Sequence, residues 1–243
     1  MLKGSFIFLL LLTGCTASLT TPPDFTRHAI HTNYFEFVTL QKDIKPNKPL
    51  RIYIEGNGTP TPKKPTMLSI AKRDKSDNVI YITRPCQYEK TDVCNKELIW
   101  TSAQFNEEII NEQKAAIEQL IRHYKPDEVE LIGYDGGGTM ALLLATRLKG
   151  AKIKRVITIA GIVNTNDYAK RTKTDLSKSL NPANETFVLA QIPQIHYVGK
   201  KDDITPTLTA TAFVKSLPDA VKATVKTVSN VGHDDWDGVK FDY

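Results

Sequence analysis

The sequence predicts a single α/β domain with a doubly wound, mainly parallel sheet, and three observations predict it. Strand-like and helix-like stretches alternate along the chain. A glycine-flanked acid, Gly133-Tyr134-Asp135-Gly136-Gly137-Gly138, joins a strand pattern to a helix pattern. Asp135, Asp202 and His233 each stand just beyond a strand run, where open α/β sheets place their ligands.

The N-terminus comes first in chain order. Lys3 supplies a thin basic region, and Phe6 to Leu12 forms an apolar core too short to span a bilayer. Leu12-Thr13-Gly14-Cys15 follows and resembles a bacterial lipobox. That resemblance implies removal of residues 1–14 as a signal peptide and lipidation of Cys15. Two or more acyl chains anchor stably, where one is marginal. Thr16 rather than Asp after the cysteine favours the outer membrane, with the domain on the periplasmic side. Residues 15–33, which include Pro22 and Pro23, are expected to form a tether, and residues 34–243 the folded domain.

The remaining composition narrows the function classes. A net charge of +5 spread over many lysines reads as a solvated surface near anionic lipid. No helix-turn-helix or RNA-binding signature is present, so no nucleic-acid partner is expected. Cys86 and Cys94 remain once Cys15 is lipidated. In an oxidising compartment they are expected to pair as a disulfide, since a metal site would need two more ligands nearby.

Each element has its own signal. Phe35 to Leu40, Leu50 to Ile54 and Asn78 to Thr83 are strand runs, and Met67 to Arg73 is a short helix between the second and third. Phe105, Ile109, Ile110, Ala116, Ile117, Leu120 and Ile121 recur at helical spacing and predict a long amphipathic helix. Val129, Leu131 and Ile132 make the strand that enters the glycine motif, and Met140 to Leu148 the helix that leaves it. Arg155 to Ala160, Gln194 to Val198 and Thr224 to Val228 are later strands. Ile162 to Pro193 has room for a lid but not for a large cap.

The candidate site follows from this layout. Gly133-Tyr134-Asp135-Gly136-Gly137 has the setting of the G-x-S-x-G nucleophile elbow of α/β-hydrolases, with Asp135 in the serine's place. Nucleophile, acid, histidine is the chain order of that fold, and Asp135, Asp202 and His233 follow it. Asp203, Asp234 and Asp235 are rival acids; Asp202 is preferred for standing four residues before Pro206. His28, His31, His123 and His196 lack the setting. Glu55-Gly56-Asn57-Gly58 follows an early strand, and backbone amides of Asn57 and Gly136 are the expected oxyanion donors, with Gly58 as a substitute for Asn57.

Further motifs extend the likeness. Thr59-Pro60-Thr61-Pro62, Arg84-Pro85-Cys86-Gln87-Tyr88 with Cys94, Trp100-Thr101-Ser102-Ala103 and Ser179-Leu180-Asn181-Pro182 resemble a family of bacterial α/β-hydrolase-fold envelope proteins across roughly residues 48–236. The resemblance implies a G-Y-S-G-G-G elbow and serine hydrolase chemistry with no metal or organic cofactor. This chain departs from it at Asp135, at Gln104 (where an Arg is common) and at Asn164 (where an acid is expected).

Chemistry restricts the role of Asp135. A carboxylate attacking an ester carbonyl would form an anhydride, so serine-type acyl transfer is disfavoured. Attack on a saturated carbon gives an alkyl-enzyme ester that a His-activated water hydrolyses, as in haloalkane dehalogenases and epoxide hydrolases. Tyr34, Tyr88 and Trp100 are candidate polarisers for such a reaction. Two readings follow, the first placed ahead. One is a hydrolase acting on a small molecule through Asp135; the other is a chain that lost its serine and serves as a binding module on the envelope. Asp tolerates the elbow's positive φ well enough to fit either.

Overall fold

A computed structural model describes residues 19–56, 60–89, 91–95, 99–219 and 222–242. Eight strands form one sheet: β1 (Thr26–His31), β2 (Glu36–Lys42), β3 (Leu50–Ile54), β4 (Val79–Ile82), β5 (Glu128–Tyr134), β6 (Lys152–Ile159), β7 (Gln194–Gly199) and β8 (Ala223–Val228). Their spatial order is β1-β2-β4-β3-β5-β6-β7-β8. Pairings from β4 through β3 to β8 are parallel, while β1–β2 and β2–β4 are antiparallel.

Six helices connect them: α1 (Thr66–Arg73), α2 (Glu107–Tyr124), α3 (Gly136–Ala145), α4 (Thr165–Thr172), α5 (Thr186–Leu189) and α6 (Thr207–Ser216). The sheet is covered on both faces, as buried parallel strands require. Alternation along β3 shows the two layers: Leu50, Ile52 and Ile54 join Ile117, Leu142 and Phe213 of α2, α3 and α6. Tyr53 points the other way, into a cluster with Met67 and Ile70 of α1 and with Trp236. The long helix begins at Asn106, whose side chain accepts from the Ile109 amide, and ends at Lys125 in the left-handed region.

The two ends of the sheet are chemically different. At the entry ends of the central strands, Arg51 binds Asp74 at 3.0 Å and Glu130 at 2.7 Å, and Arg155 binds Glu130 at 2.7 Å. This charged network is half-buried around the buried Glu130, and it leaves the opposite, carboxyl end for the candidate site.

One expectation is corrected. Residues 26–31, read as tether, form the edge strand β1, paired in register with β2 from Thr26–Gln41 to His31–Glu36. Leu19 and Phe25, before it, are buried against the cluster that holds Tyr53. The folded domain therefore starts well upstream of residue 34. The strand escaped notice because it carries little apolar pattern: only Ile30 of its six residues is buried. The segment 162–193 is also more ordered than a simple lid, since α4, a 3-10 turn (Pro182–Asn184) and α5 pack Leu176, Leu189 and Ala190 into the core.

Candidate active site

Asp135 occupies a sharp turn between β5, which ends at Tyr134, and α3, which starts at Gly136. Its φ of 50° and ψ of −120° lie outside the regions most residues adopt. Three backbone bonds hold the turn: Asp135 N to Ile159 O at 3.0 Å, Gly138 N to Asp135 O at 3.0 Å and Ile162 N to Asp135 O at 3.1 Å. Glycine is needed around it for space. A Cβ on Gly133 would strike the Gly137 backbone, and one on Gly137 would strike the carbonyls of Ile54 and Glu55.

His233 and Asp202 converge on this turn from the loops after β8 and β7. The imidazole Nδ1 lies 3.0 Å from Asp202 Oδ2, and Nε2 lies 3.5 Å from Asp135 Oδ1. Asp202 is itself fixed, its Oδ1 accepting the amides of Ile204 at 2.9 Å and Thr205 at 2.7 Å. Its Oδ2 also accepts the Thr205 hydroxyl at 2.7 Å. Two of the rival acids are engaged elsewhere: Asp234 accepts the Tyr134 hydroxyl at 2.5 Å, and Asp235 the Gly232 amide at 3.2 Å. Behind the histidine, Trp236 is fully buried and donates its indole N–H to the His233 carbonyl at 2.6 Å.

Electrostatics follow from these contacts. Burial pulls the His233 pKa down, but its bonds to Asp135 and Asp202, and their charges, win and raise it to about 10. Burial likewise pushes Asp202 up, and the hydrogen bonds from His233 and Thr205 bring it below its ordinary value. A protonated imidazole thus sits between two carboxylates.

Gly136 is the first residue of α3, so its amide is one of the helix-start donors that no helical carbonyl satisfies. Asn57 and Gly58, the other expected oxyanion residues, lie outside the described residues. Glu55, just before them, is buried and accepts the Gly56 amide at 2.9 Å and the Met67 amide at 3.5 Å. Burial pushes its carboxyl up, only partly offset by those bonds.

A cavity of about 290 Å³ opens between the loop after β4, the segment before α2 and helix α4. Arg84, Pro85, Trp100, Gln104 and Tyr168 line it. Burial lowers the Arg84 pKa to about 10 and raises that of Tyr168, and the Asp135 charge raises both. Of the three aromatic candidates only Trp100 lines it. Tyr34 is about half exposed, and Tyr88 donates its hydroxyl to the Pro62 carbonyl at 2.5 Å in a separate groove. Cys86 and Cys94 are disulfide-bonded with their Cα atoms 5.4 Å apart, Cys86 directly following the wall residue Pro85. Asn164 caps α4, its side chain accepting the amides of Asn166 and Asp167. His196 is a buried strand residue, its Nδ1 2.8 Å from the Thr158 hydroxyl, and burial lowers its pKa to about 4.

Sequence reasoning missed Arg84, Thr205 and Tyr168 as site residues. Arg84 was legible in principle, since it follows the carboxyl end of β4. Nothing in the chain marks Tyr168, which reaches the cavity only through the path of α4.

The architecture is that of the α/β-hydrolase fold. No family model matches the chain, and no curated protein matches it in sequence. Solved structures do. An esterase from Pyrococcus furiosus is similar over 91% of this chain and 88% of its own, with a TM-score of 0.68 and 14% identity. An α/β serine hydrolase homologue from Coxiella burnetii matches over 89% of this chain and 91% of its own, with a TM-score of 0.59 and 14% identity. An acylaminoacyl peptidase from Pyrococcus horikoshii has a TM-score of 0.66 and 15% identity over 88% of this chain, which spans 38% of the peptidase. At these identities the likeness establishes the fold.

Proposed function

We propose that the protein is a hydrolase that uses Asp135 where serine hydrolases of this fold use serine. The observation that carries the proposal is Asp135 itself, on a strained turn with a histidine–acid pair aimed at its carboxylate. An Asp135 oxygen attacks a saturated carbon of the substrate, and the leaving group departs with the bonding pair. The Asp135–substrate ester is neutral at that carboxyl, so His233 loses one of the charges that hold its proton. It gives that proton to the departing group or to solvent. Once neutral, it takes a proton from water, and the resulting hydroxide attacks the ester carbonyl of Asp135. The imidazolium then returns a proton to the leaving alkoxide. The product leaves as an alcohol, and Asp135 keeps one oxygen from water. The Gly136 amide, with the loop at Asn57, stabilises the developing oxyanion. Asp202 holds the imidazole in orientation throughout.

Turnover on ester, haloalkane and epoxide panels in heavy-oxygen water tests this. Label in the Asp135 carboxylate is the expected result. A silent wild type with esterase activity in Asp135→Ser would instead indicate a lapsed serine enzyme. Silence in every variant would favour a binding role, which the ready-made His233 ion pair could also serve.

We also propose that Cys15 is lipidated and that the protein is held to the cell envelope, preferentially the outer membrane. Among the described residues no helix is long and apolar enough to cross a membrane. Metabolic labelling with a palmitate analogue, lost in Cys15→Ser, is the test.

A further inference from the structure

We propose that the groove beside helix α1 rests on an anionic phospholipid surface, with Lys63, Lys64 and Lys72 meeting the headgroups. The proposal takes its orientation from the proposed lipid anchor and adds a second, separate attachment to it. The groove has a volume of about 810 Å³ and lies in the layer of α1, across the sheet from α2, α3 and α6. Leu19, Pro22 and Leu68 line it as buried residues, and the three lysines line it exposed to solvent.

The charges on this face are unequally answered. Both of its carboxylates are engaged. Asp237 accepts the Ser69 hydroxyl at 2.7 Å and lies 3.5 Å from the Arg73 guanidinium, and Asp234 accepts the Tyr134 hydroxyl at 2.5 Å. The side chains of Lys63, Lys64 and Lys72 make no hydrogen bond or ion pair among the described residues. With Arg73, these cations outnumber the two acids. Ammonium groups on flexible stems suit a partner that offers negative charge over a broad area, as a layer of anionic headgroups does.

Position in the chain says which surface this face meets. Leu19 is seated in the groove itself, and Cys15 precedes it by four positions, so the acylated residue leaves the domain from this side. Acyl chains with a basic patch supply two signals for attachment, and the groove provides the second.

The chain from residue 15 onward carrying Cys15→Ser keeps every described strand and helix and measures the face without acyl chains. Co-sedimentation compares vesicles of phosphatidylcholine alone with vesicles that contain about one-third phosphatidylglycerol. Binding to the anionic vesicles should be at least about tenfold tighter and should weaken with added salt. Lys63→Gln with Lys64→Gln and Lys72→Gln should lower that affinity at least about tenfold, since each lysine near an anionic surface contributes roughly fivefold. Lys125→Gln with Lys149→Gln and Lys215→Gln makes the same charge change across the sheet and should cost less than about threefold. Equal affinity for the two vesicles, or equal losses in the two triple variants, would overturn the proposal. So would tighter binding of soluble polyglutamate than of the anionic vesicles, which would assign the groove to an acidic protein. Amine labelling needs no lysine variant: anionic vesicles should protect Lys63, Lys64 and Lys72 but not Lys125 and Lys149, and uniform labelling would refute the contact. Anionic binding by a chain that cells never acylate would sink the anchor and leave this face standing. Acylation with no anionic preference would do the reverse.

Discussion

The imidazole of His233 is bound to Asp202 at 3.0 Å, through a carboxylate that three donors from Ile204 and Thr205 already hold in place. The acid is thus oriented before the histidine reaches it, and the pair behaves as one fixed unit.

Stability should fall as the solution becomes alkaline. His233 titrates near 10 in the folded protein and near its ordinary 6.5 when unfolded. A raised pKa stabilises fully below about 6.5, and that contribution disappears as pH rises through 10. It is on the order of a few kcal/mol. Thermal melts of wild type and His233→Asn, compared from pH 6 to 10.5, should converge with rising pH; parallel curves would refute the assignment.

Replacing the histidine should trap the intermediate. Under the proposed mechanism His233→Phe still permits attack by Asp135 but removes the base for hydrolysis. Intact mass spectrometry after exposure to a reactive substrate should show one added alkyl group, localised to the peptide containing Asp135. Full turnover in this variant would rule the histidine out as base.

Gly137→Ala should damage the fold as well as the site. Its Cβ meets the Ile54 and Glu55 carbonyls, which are backbone and cannot swing aside. A loss of about 1–3 kcal/mol is expected from overpacking, measured by urea denaturation, while Gly238→Ala, with open space around it but a φ of 79°, should lose only about 1 kcal/mol, from its backbone alone.

Trp236 should couple stability to the site. Trp236→Ala empties a fully buried position and should cost about 3–5 kcal/mol. Trp236→Phe retains much of the volume but loses the bond to the His233 carbonyl. It should unfold at a nearer-normal temperature yet weaken the alkaline stability transition.

Opening the disulfide should act first on the cavity. Cys86→Ser with Cys94→Ser releases a short loop and should cost about 2–3 kcal/mol by the chain-entropy estimate. Because Cys86 directly follows Pro85 in the cavity's wall, amide exchange over residues 84–87 should rise by more than global stability would suggest.

Much of this was legible in the chain before any coordinates. The central strands are buried on both faces, so their apolar runs stand out, and Asp135 and Asp202 could be placed because each follows such a run. His233 follows the edge strand β8, which has no buried residue, and is marked instead by its place in the chain order. Strand β1 could not be placed, because an edge strand with one inward residue has almost no apolar signature. Arg84 shows a different failure. Its position after β4 was visible, but its burial depends on Phe105 and Gln104, which the fold brings to it from twenty residues away.

The early start of the folded domain shortens the leash. Leu19 is already seated in a groove with Lys63, Lys64 and Lys72, so on the proposed anchor only three residues lie between it and the acylated Cys15. Fully stretched, that distance is roughly 14 Å. On the proposed anchor, a tether running to residue 33 would let the domain roam, whereas this shorter one would moor it with the lysine-bearing groove alongside the lipid headgroups.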